Sequence, residues 1–328
     1  MLERTVVIGD MQLKNSLVMA PVALEKSDYG TVSDEMLHYY DERTKGGYIG
    51  LVIIEHSFVL PEGKASPKQL SSSKDEDIEG LKKLADIIHQ NGCKTIMQIS
   101  HAGLKAVKID DGMEGISPSG TLDTASLEKC RPTHAATQSE IDALIDAFRN
   151  AALRVKAAGF DGVEIHGAHG YLLNQFYSPL MNQRTDSYTG QTIEGRVKLH
   201  QEILAAVRSA IGDDLLLGIR FGACDYMPDG STVEDGAKGA LLLEEAGAQF
   251  IDVSGGMCGS RPTGVSGVGY FADASSAIRK SVSVPVILTG GVKTRADAES
   301  LLSDDVADLI GVGRGIMSDP LWAQKAMS

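Results

Sequence analysis

Residues 139–166 read SEIDALIDAFRNAALRVKAAGFDGVEIH, and this stretch contains the unit from which the fold is built. Its apolar residues recur with helical spacing over Ser139–Ala158, and Gly159 is a typical residue to follow the end of a helix. A short apolar run, Gly162–His166, comes next and is typical of a strand buried on both faces. The stretch therefore predicts one helix that leads into one strand of a parallel sheet.

The same alternation extends over nearly the whole chain. The predicted strands are Leu17–Pro21, Leu51–Glu55, Lys94–Ser100, Gly162–His166, Leu215–Phe221, Phe250–Ser254, Pro285–Thr289 and Ala307–Gly311. The predicted helices are Asp75–Gln90, Ser139–Ala158, Glu194–Ile211, Thr232–Ala246 and Thr294–Leu302. Eight strands with intervening helices and no linker predict an α/β fold, a single (β/α)8 TIM barrel that forms one domain over residues 1–328.

The ends of these elements carry further signals. Ser139–Glu140 and Thr294 are expected to cap helix starts, and the glycines expected to close helices are Gly92, Gly159, Gly212 and Gly247. Before the first barrel strand, Thr5–Ile8 and Met11–Leu13 are expected to form a β-hairpin. In a barrel this hairpin would plug the N-terminal mouth.

Charge and composition exclude several classes of protein. Lysine and arginine number 31 against 44 acidic residues, and the net charge of −13 disfavours nucleic acid as a partner. No apolar run approaches the ~20 residues of a membrane span, and Met1–Arg4 has no signal-peptide core. The four cysteines lie far apart, which predicts no metal centre and fits a reduced cytoplasm. A homo-oligomer is compatible with the sequence.

Chemistry is expected at the carboxyl ends of the strands, where barrel enzymes build their sites. Three long connections follow strands: 102–138, 167–193 and 255–271. Loops of this length in a compact domain are usually functional. After the last two strands, Gly290–Gly291 and Gly313 supply backbone N–H groups, and Arg314 adds a cation. Together these residues predict a phosphate site.

Two polar side chains interrupt apolar strands. Arg220 follows the run Leu215–Ile219, where a buried charge is costly unless it is paired. It predicts either a structural ion pair or a cation that faces negative charge developing on a bound ring. Gln98 must find buried hydrogen-bond partners, which the edge of a heterocycle or the neighbouring backbone would supply.

The densest polar cluster, Glu164–Tyr171, lies at the end of the fourth predicted strand. His166 and His169 are three residues apart, but no carboxylate or third histidine is obviously placed to complete a metal site. Two imidazoles beside a phenol fit a carbonyl-binding pocket better, in which the histidines polarise the oxygen and Tyr171 donates a proton. The alternative is that these groups are core or helix-capping residues.

This cluster begins a segment with a known counterpart. Residues 164–186, EIHGAHGYLLNQFYSPLMNQRTD, strongly resemble the hallmark segment of the old yellow enzymes, which are FMN-dependent NAD(P)H oxidoreductases and ene-reductases. Residues 15–21 resemble the first flavin segment of that family, residues 98–103 its third strand and residues 311–314 its phosphate end. The resemblance runs from about residue 5 to 322 and implies a TIM barrel that holds FMN non-covalently.

The resemblance implies that eight residues hold the FMN: Ala20, Pro21, Val22, Gln98, Arg220, Gly291, Gly313 and Arg314. The first three would line the ring through backbone and apolar contacts, and Gln98 would hydrogen-bond its pyrimidine edge. Arg220 would face the N1/O2 region, where reduced flavin accumulates negative charge. The two glycines and Arg314 would hold the phosphate.

The activity implied by the resemblance is the reduction of an α,β-unsaturated carbonyl compound. NADH or NADPH would give hydride to the flavin, which would pass it to the C=C bond. His166 and His169 would hold the carbonyl, while Tyr171 donates the proton. The alternatives are NAD(P)H oxidation by dioxygen, demethylation of a small substrate and, disfavoured because no lysine ends a predicted strand, a flavin-free barrel lyase. A scaffold protein without chemistry is disfavoured by the intact histidine and tyrosine set.

Some positions depart from the family pattern. Ala23 stands where relatives carry a cysteine or threonine that tunes the flavin potential. His56 occupies a position that is usually small, and its imidazole is expected to press on the flavin or narrow the pocket. The glycine-rich loop 255–269 has no assigned role beyond that of a candidate substrate lid.

Overall fold

The computed structural model describes residues 1–108, 114–120 and 132–328. The strands within these residues are β1 (Val6–Ile8), β2 (Met11–Leu13), β3 (Leu17–Met19), β4 (Leu51–Phe58), β5 (Lys94–Ser100), β6 (Gly115–Ser117), β7 (Thr133–Ala135), β8 (Gly162–Gly167), β9 (Leu216–Cys224), β10 (Ile251–Gly255), β11 (Val286–Thr289) and β12 (Leu309–Val312). Eight of them form a closed parallel barrel in the order β3-β4-β5-β8-β9-β10-β11-β12, and β12 pairs with β3 to close it. This arrangement confirms the predicted (β/α)8 barrel.

Helices surround the barrel. Those described are α1 (Asp34–Thr44), α2 (Asp77–Gln90), α3 (Gln138–Ala157), α4 (Leu172–Tyr177), α5 (Ile193–Ile211), α6 (Val233–Glu245), α7 (Ala272–Arg279), α8 (Arg295–Ser303), α9 (Arg314–Ser318) and α10 (Trp322–Met327). Every predicted strand and helix is present, with boundaries that differ by three residues or fewer. The four glycines expected after helices all have positive φ, as such positions require.

One predicted helix cap is wrong, and several described elements were not predicted: α1, α4, α7, α9, α10, β6 and β7. Helix α3 is capped by Thr137, whose side chain accepts from the backbone of Glu140 in a capping box, so the predicted Ser139 cap is wrong. Helix α1 was not predicted, because charged residues dominate it and its apolar periodicity is weak. Burial of Tyr39 and Tyr40 attaches it to the barrel.

The N-terminal hairpin closes the lower mouth of the barrel, as predicted. Strands β1 and β2 pair antiparallel, and Ile8 and Leu13 are fully buried. Both belong to an apolar layer whose other members come from around the barrel interior: Val18, Leu51, Ile53, Ile96, Leu216, Phe250, Ile287 and Leu309. The hairpin thus seals one end of the barrel with apolar side chains and leaves the other end for chemistry.

Above this apolar layer the barrel interior becomes polar. Side chains on one face of a strand recur every second residue, so the positions that follow Ile96 and Phe250 inside the barrel are Gln98 and Asp252. Glu164 and Arg220 join them from β8 and β9, and all four are buried. We call Gln98, Glu164, Arg220 and Asp252 the polar layer.

Three of the four cysteines belong to the described residues. Cys93, Cys224 and Cys258 are free thiols, while Cys130 lies outside the described residues. Among the residues described, no group of three or more histidine, cysteine, aspartate or glutamate side chains is placed to hold a metal ion. No helix in the same part of the chain is long and apolar enough to cross a membrane.

Candidate active site

A cavity of about 780 Å³ lies at the carboxyl ends of the barrel strands. Its wall contains every residue predicted to bind cofactor or substrate: Ala20, Pro21, Val22, Gln98, His166, His169, Tyr171, Arg220, Gly291, Gly313 and Arg314. These residues come from the first to the last strand of the barrel and from the turns that follow. The fold therefore brings together residues that are widely separated in the sequence.

Four rings form a compact group at one part of this cavity. The ring centroid of His166 lies 5.0 Å from that of His169 and 5.0 Å from that of Tyr171, both in edge-to-face arrangements. The ring of His56 completes the group, with its centroid 5.3 Å from Tyr171 and 5.9 Å from His166. We call His56, His166, His169 and Tyr171 the ring cluster.

The backbone and its neighbours hold His169 in place. Its φ is +59°, a left-handed conformation that is uncommon outside glycine, and its N–H donates to the carbonyl of Gly255 at 3.0 Å. Lys105 Nζ donates to the His169 carbonyl at 2.6 Å, and the Nε2 atom lies 2.7 Å from the hydroxyl oxygen of Ser254. These contacts from two other segments, β10 and the residues after β5, stabilise a strained residue whose ring lines the cavity.

The electrostatic environment keeps the ring cluster uncharged at neutral pH. Burial, with the positive charges of neighbouring groups, holds the pKa of His166 and that of His169 well below their ordinary values. Each imidazole is therefore neutral and retains one N–H to donate. Burial, assisted by the charge of Glu25, raises the pKa of Tyr171 to about 12, so its phenol keeps its proton. This combination suits hydrogen bonding to a carbonyl oxygen and proton donation.

His56 and Ala23 both line the cavity. The Nδ1 atom of His56 lies 2.7 Å from Gln69 Nε2, and burial, followed by the charge of Arg220, lowers the pKa of His56 to about 4. Because its ring lies against Tyr171, it occupies space that a smaller residue would leave open. Its effect on a bound flavin, and that of Ala23, stay predictions.

The polar layer forms the floor of the cavity through Gln98 and Arg220. Gln98 Nε2 donates to Glu164 Oε1 at 2.6 Å. Arg220 Nε lies 3.4 Å from Asp252 Oδ2, an ion-pair distance, and its Nη1 lies 3.5 Å from the Pro21 carbonyl oxygen. Arg220 therefore has the structural ion pair considered above, and it also lines the cavity. That it faces negative charge on a bound ring stays a prediction.

The opposite part of the cavity contains the predicted phosphate residues. Gly291 has φ +71°, and a Cβ added there would fall 1.9 Å from the carbonyl oxygen of Gly267. Arg314 opens α9, and its Nη2 donates to the hydroxyl of Tyr270. The loop that follows β10 contributes Ser260, Arg261, Ser266 and Gly267 to the wall. The function of this loop as a lid remains a prediction.

The Gly291→Ala variant is expected to lose more stability than Gly264→Ala, a matched control. Both glycines have φ above +70°, which costs an alanine about 1–2 kcal/mol, but no described atom lies within 4 Å of a Cβ at Gly264. At Gly291 the contact with the Gly267 carbonyl adds to this cost. Urea unfolding should show the larger loss in Gly291→Ala, and only that variant should lose FMN affinity. Equal losses in the two variants would contradict the assignment of Gly291 to a tight backbone cradle.

Fold and cavity are those expected of a TIM-barrel enzyme with its site at the carboxyl ends of the strands, and comparison with known proteins identifies the family. A model of the NADH:flavin oxidoreductase / NADH oxidase family matches residues 4–328. The NADH oxidase of Thermoanaerobacter brockii is 37% identical over 326 residues, which cover 97% of this chain and 49% of that protein. The NADPH dehydrogenase of Halalkalibacterium halodurans is 35% identical over 322 residues, or 98% and 92% of the two chains.

Solved structures give the same result for the fold. A 2-naphthoyl-CoA reductase in complex with 2-naphthoyl-CoA superposes with a TM-score of 0.91 at 27% sequence identity. The match covers 99% of this chain and 51% of the reductase chain. Morphinone reductase in complex with tetrahydroNAD has a TM-score of 0.84 at 23% identity, over 99% and 90% of the two chains, and shows the fold alone. This chain thus spans about half the length of the NADH oxidase and of the naphthoyl-CoA reductase.

This chain belongs to the NADH:flavin oxidoreductase / NADH oxidase family. The predicted membership of the old yellow enzyme group is confirmed, and that family consists of NAD(P)H-dependent flavin oxidoreductases with FMN as cofactor. The residues present fit FMN. Arg220 and Arg314 bring two cations to the cavity wall, and the buried Thr289 Oγ1 on the same wall has no hydrogen-bond partner among the described residues.

Among the contributors to the site that had no role assigned from sequence, two come from β10. Ser254 pairs with His169, and Asp252 pairs with Arg220. Both lie in β10 and follow Phe250 at a spacing of two, so they share the barrel-facing side of that strand. This spacing was the signal that would have identified them.

Proposed function

We propose that this chain is a single-domain cytoplasmic enzyme that uses NADH or NADPH to reduce the C=C bond of an α,β-unsaturated carbonyl compound. The observation that carries the proposal is the ring cluster, in which two neutral imidazoles and a protonated phenol line one cavity wall. Bound FMN supplies the redox chemistry, because it accepts hydride from the nicotinamide and delivers it to the substrate.

The residues of this chain position and protonate the substrate. His166 and His169 would donate hydrogen bonds to the carbonyl oxygen, which makes the β-carbon more electrophilic. Tyr171 would give its proton to the α-carbon, since burial keeps the phenol protonated over the working pH range. Ala20, Pro21, Val22 and Gln98 would contact the flavin ring. Gly291, Gly313 and Arg314 would hold its phosphate.

A second candidate is NAD(P)H oxidation with dioxygen, which is favoured by the 37% identity to an NADH oxidase. Oxygen needs no carbonyl-binding donors, so it leaves the ring cluster without a role. Demethylation of a small substrate on the same scaffold, and a flavin-free barrel lyase, have less support. The ring cluster is therefore the reason to prefer an unsaturated carbonyl as the acceptor.

The purified protein is expected to be yellow and to release FMN on heating. With NADH or NADPH as donor, a cyclic enone should give a higher kcat/KM than dioxygen, measured anaerobically and in air respectively. Comparison of the kcat/KM measured with NADH and with NADPH shows which coenzyme is the preferred hydride donor. A colourless protein that takes up no added FMN would reject the proposal, and a turnover confined to dioxygen would replace it by the oxidase.

A further inference from the structure

Two buried carboxyl groups lie beneath the cavity without a role in the chemistry described above. Glu164 on β8 and Asp252 on β10 are both 0% exposed, and the cation nearest to them is Arg220 on β9, which is 4% exposed. If both carboxyl groups were ionised, this set of three would carry one net negative charge in the interior of the barrel. Burial of an unbalanced charge is strongly unfavourable.

Hydrogen bonding in this set is incomplete. Glu164 Oε1 accepts from Gln98, but Glu164 Oε2 and both oxygens of Asp252 have no hydrogen-bond partner in the described part of the chain. Buried polar atoms in folded proteins are nearly always partnered. A proton held by one carboxyl group removes the excess charge and turns one of the unpartnered acceptor oxygens into a donor.

The groups around the pair agree with this assignment. Burial raises the pKa of Glu164, and the charge of Asp252 raises it further against the opposing effect of Arg220. Burial likewise raises the pKa of Asp252, again against Arg220. From the other side, Arg220 faces the ring cluster, whose histidines are uncharged at neutral pH. Negative charge placed on the cavity side of Arg220 would therefore weaken the electrostatic stabilisation that Arg220 gives to the Asp252 carboxylate.

We propose that Glu164 and Asp252 share one proton while the FMN is oxidised and take up a second proton from solvent when it is reduced. The inference rests on the proposed flavin site beside Arg220. Hydride transfer brings two electrons and one proton to the cofactor and leaves it with one additional negative charge. A solvent proton then forms an O–H bond on the remaining carboxylate, so that the protein takes up two protons in all for two electrons. Reoxidation returns this proton to solvent.

Infrared difference spectroscopy tests the carboxyl pair directly. The reduced-minus-oxidised spectrum of the FMN-loaded wild-type protein at pH 7 should gain the C=O stretching band of one protonated carboxyl group. The band should shift when aspartate and glutamate carboxyls are labelled with ¹³C. A wild-type spectrum without this gain, or a gain insensitive to the label, overturns the proposal without any variant.

A matched set of variants tests whether Glu164 and Asp252 give rise to the C=O stretching band. The double variant Glu164→Gln/Asp252→Asn should lack it, and the slope of its midpoint potential against pH should correspond to one proton per two electrons. Near neutral pH, the slope for the wild-type protein should correspond to two protons per two electrons, which is twice as steep. The control Asp308→Asn removes a carboxylate that pairs with Arg279 at 3.2 Å at the start of β12, outside the cavity wall, and should keep both wild-type signatures. A band that persists in the double variant overturns the proposal.

Failure of this inference can be told apart from failure of the proposed function. A protein that binds no FMN rejects the flavin site itself. A yellow protein that gains no carboxyl band on reduction rejects only the proton uptake.

Discussion

Replacement of Tyr171 by phenylalanine is expected to slow the reoxidation of the reduced enzyme by an unsaturated carbonyl by about 10²–10⁴-fold, the usual contribution of a positioned general acid. The phenol is protonated because burial raises its pKa to about 12, and its ring lies 5.0 Å from that of His166, centroid to centroid. Phenylalanine keeps the ring and deletes only the proton that the α-carbon receives. Reduction of the flavin by NAD(P)H needs no such proton and should stay nearly unchanged.

Stopped-flow measurement of the two half-reactions separates these effects. Tyr226→Phe is a suitable control, because it deletes a hydroxyl that donates to Asp273 from outside the cavity wall. That variant should leave both half-reactions at the wild-type rate. If Tyr171→Phe leaves both half-reactions unaffected as well, Tyr171 is not the proton donor.

Removal of Arg220 is expected to have the second large effect. Arg220→Met leaves Asp252 buried without its cation, and breaking a buried pair in this way typically costs 3–5 kcal/mol of unfolding free energy. The carboxyl pKa values in the folded state are then raised above those of the unfolded chain, so stability falls as pH rises between the two values. The loss should therefore be larger at pH 8 than at pH 5. Affinity for FMN should fall at both.

Denaturant unfolding of Arg220→Met beside Arg220→Met/Asp252→Asn tests the cause. The double variant has no unpaired carboxylate on β10 and should recover much of the lost stability, since residues in one network act non-additively. It should not recover FMN affinity, because the cation facing the cavity is still missing. If the second substitution adds to the loss instead, the pairing of Arg220 with Asp252 is not what stabilises this layer.

Much of the architecture was readable from local patterns. Residues 139–166 predicted a helix and a buried strand, and α3 and β8 lie within one residue of those limits at each end. Apolar runs and helix-ending glycines are local signals, because each reflects burial or backbone conformation at its own position. Helix α1 was not predicted, because its position depends on the packing of Tyr39 and Tyr40 rather than on a regular apolar spacing.

Those residues of the candidate site that lie at strand ends could be predicted from the sequence, as the strands themselves could. Strand order and the barrel rule place the carboxyl ends at one face, so the sequence predicts that His166, Arg220 and Arg314 lie on the same face of the barrel. Resemblance to a family then suggested a role for each. These inferences needed only residue types and their places along the chain.

Patterns in the sequence were sufficient to predict the barrel, the family and those cavity residues that lie at the ends of strands. The side-chain partners became evident only in the folded barrel, where Asp252 pairs with Arg220, Glu164 accepts from Gln98, and His56 packs against Tyr171. The physical reason is that charge, hydrogen bonding and pKa depend on distances between side chains from different strands. Those distances follow from closure and register of the barrel, which no local stretch of the chain encodes.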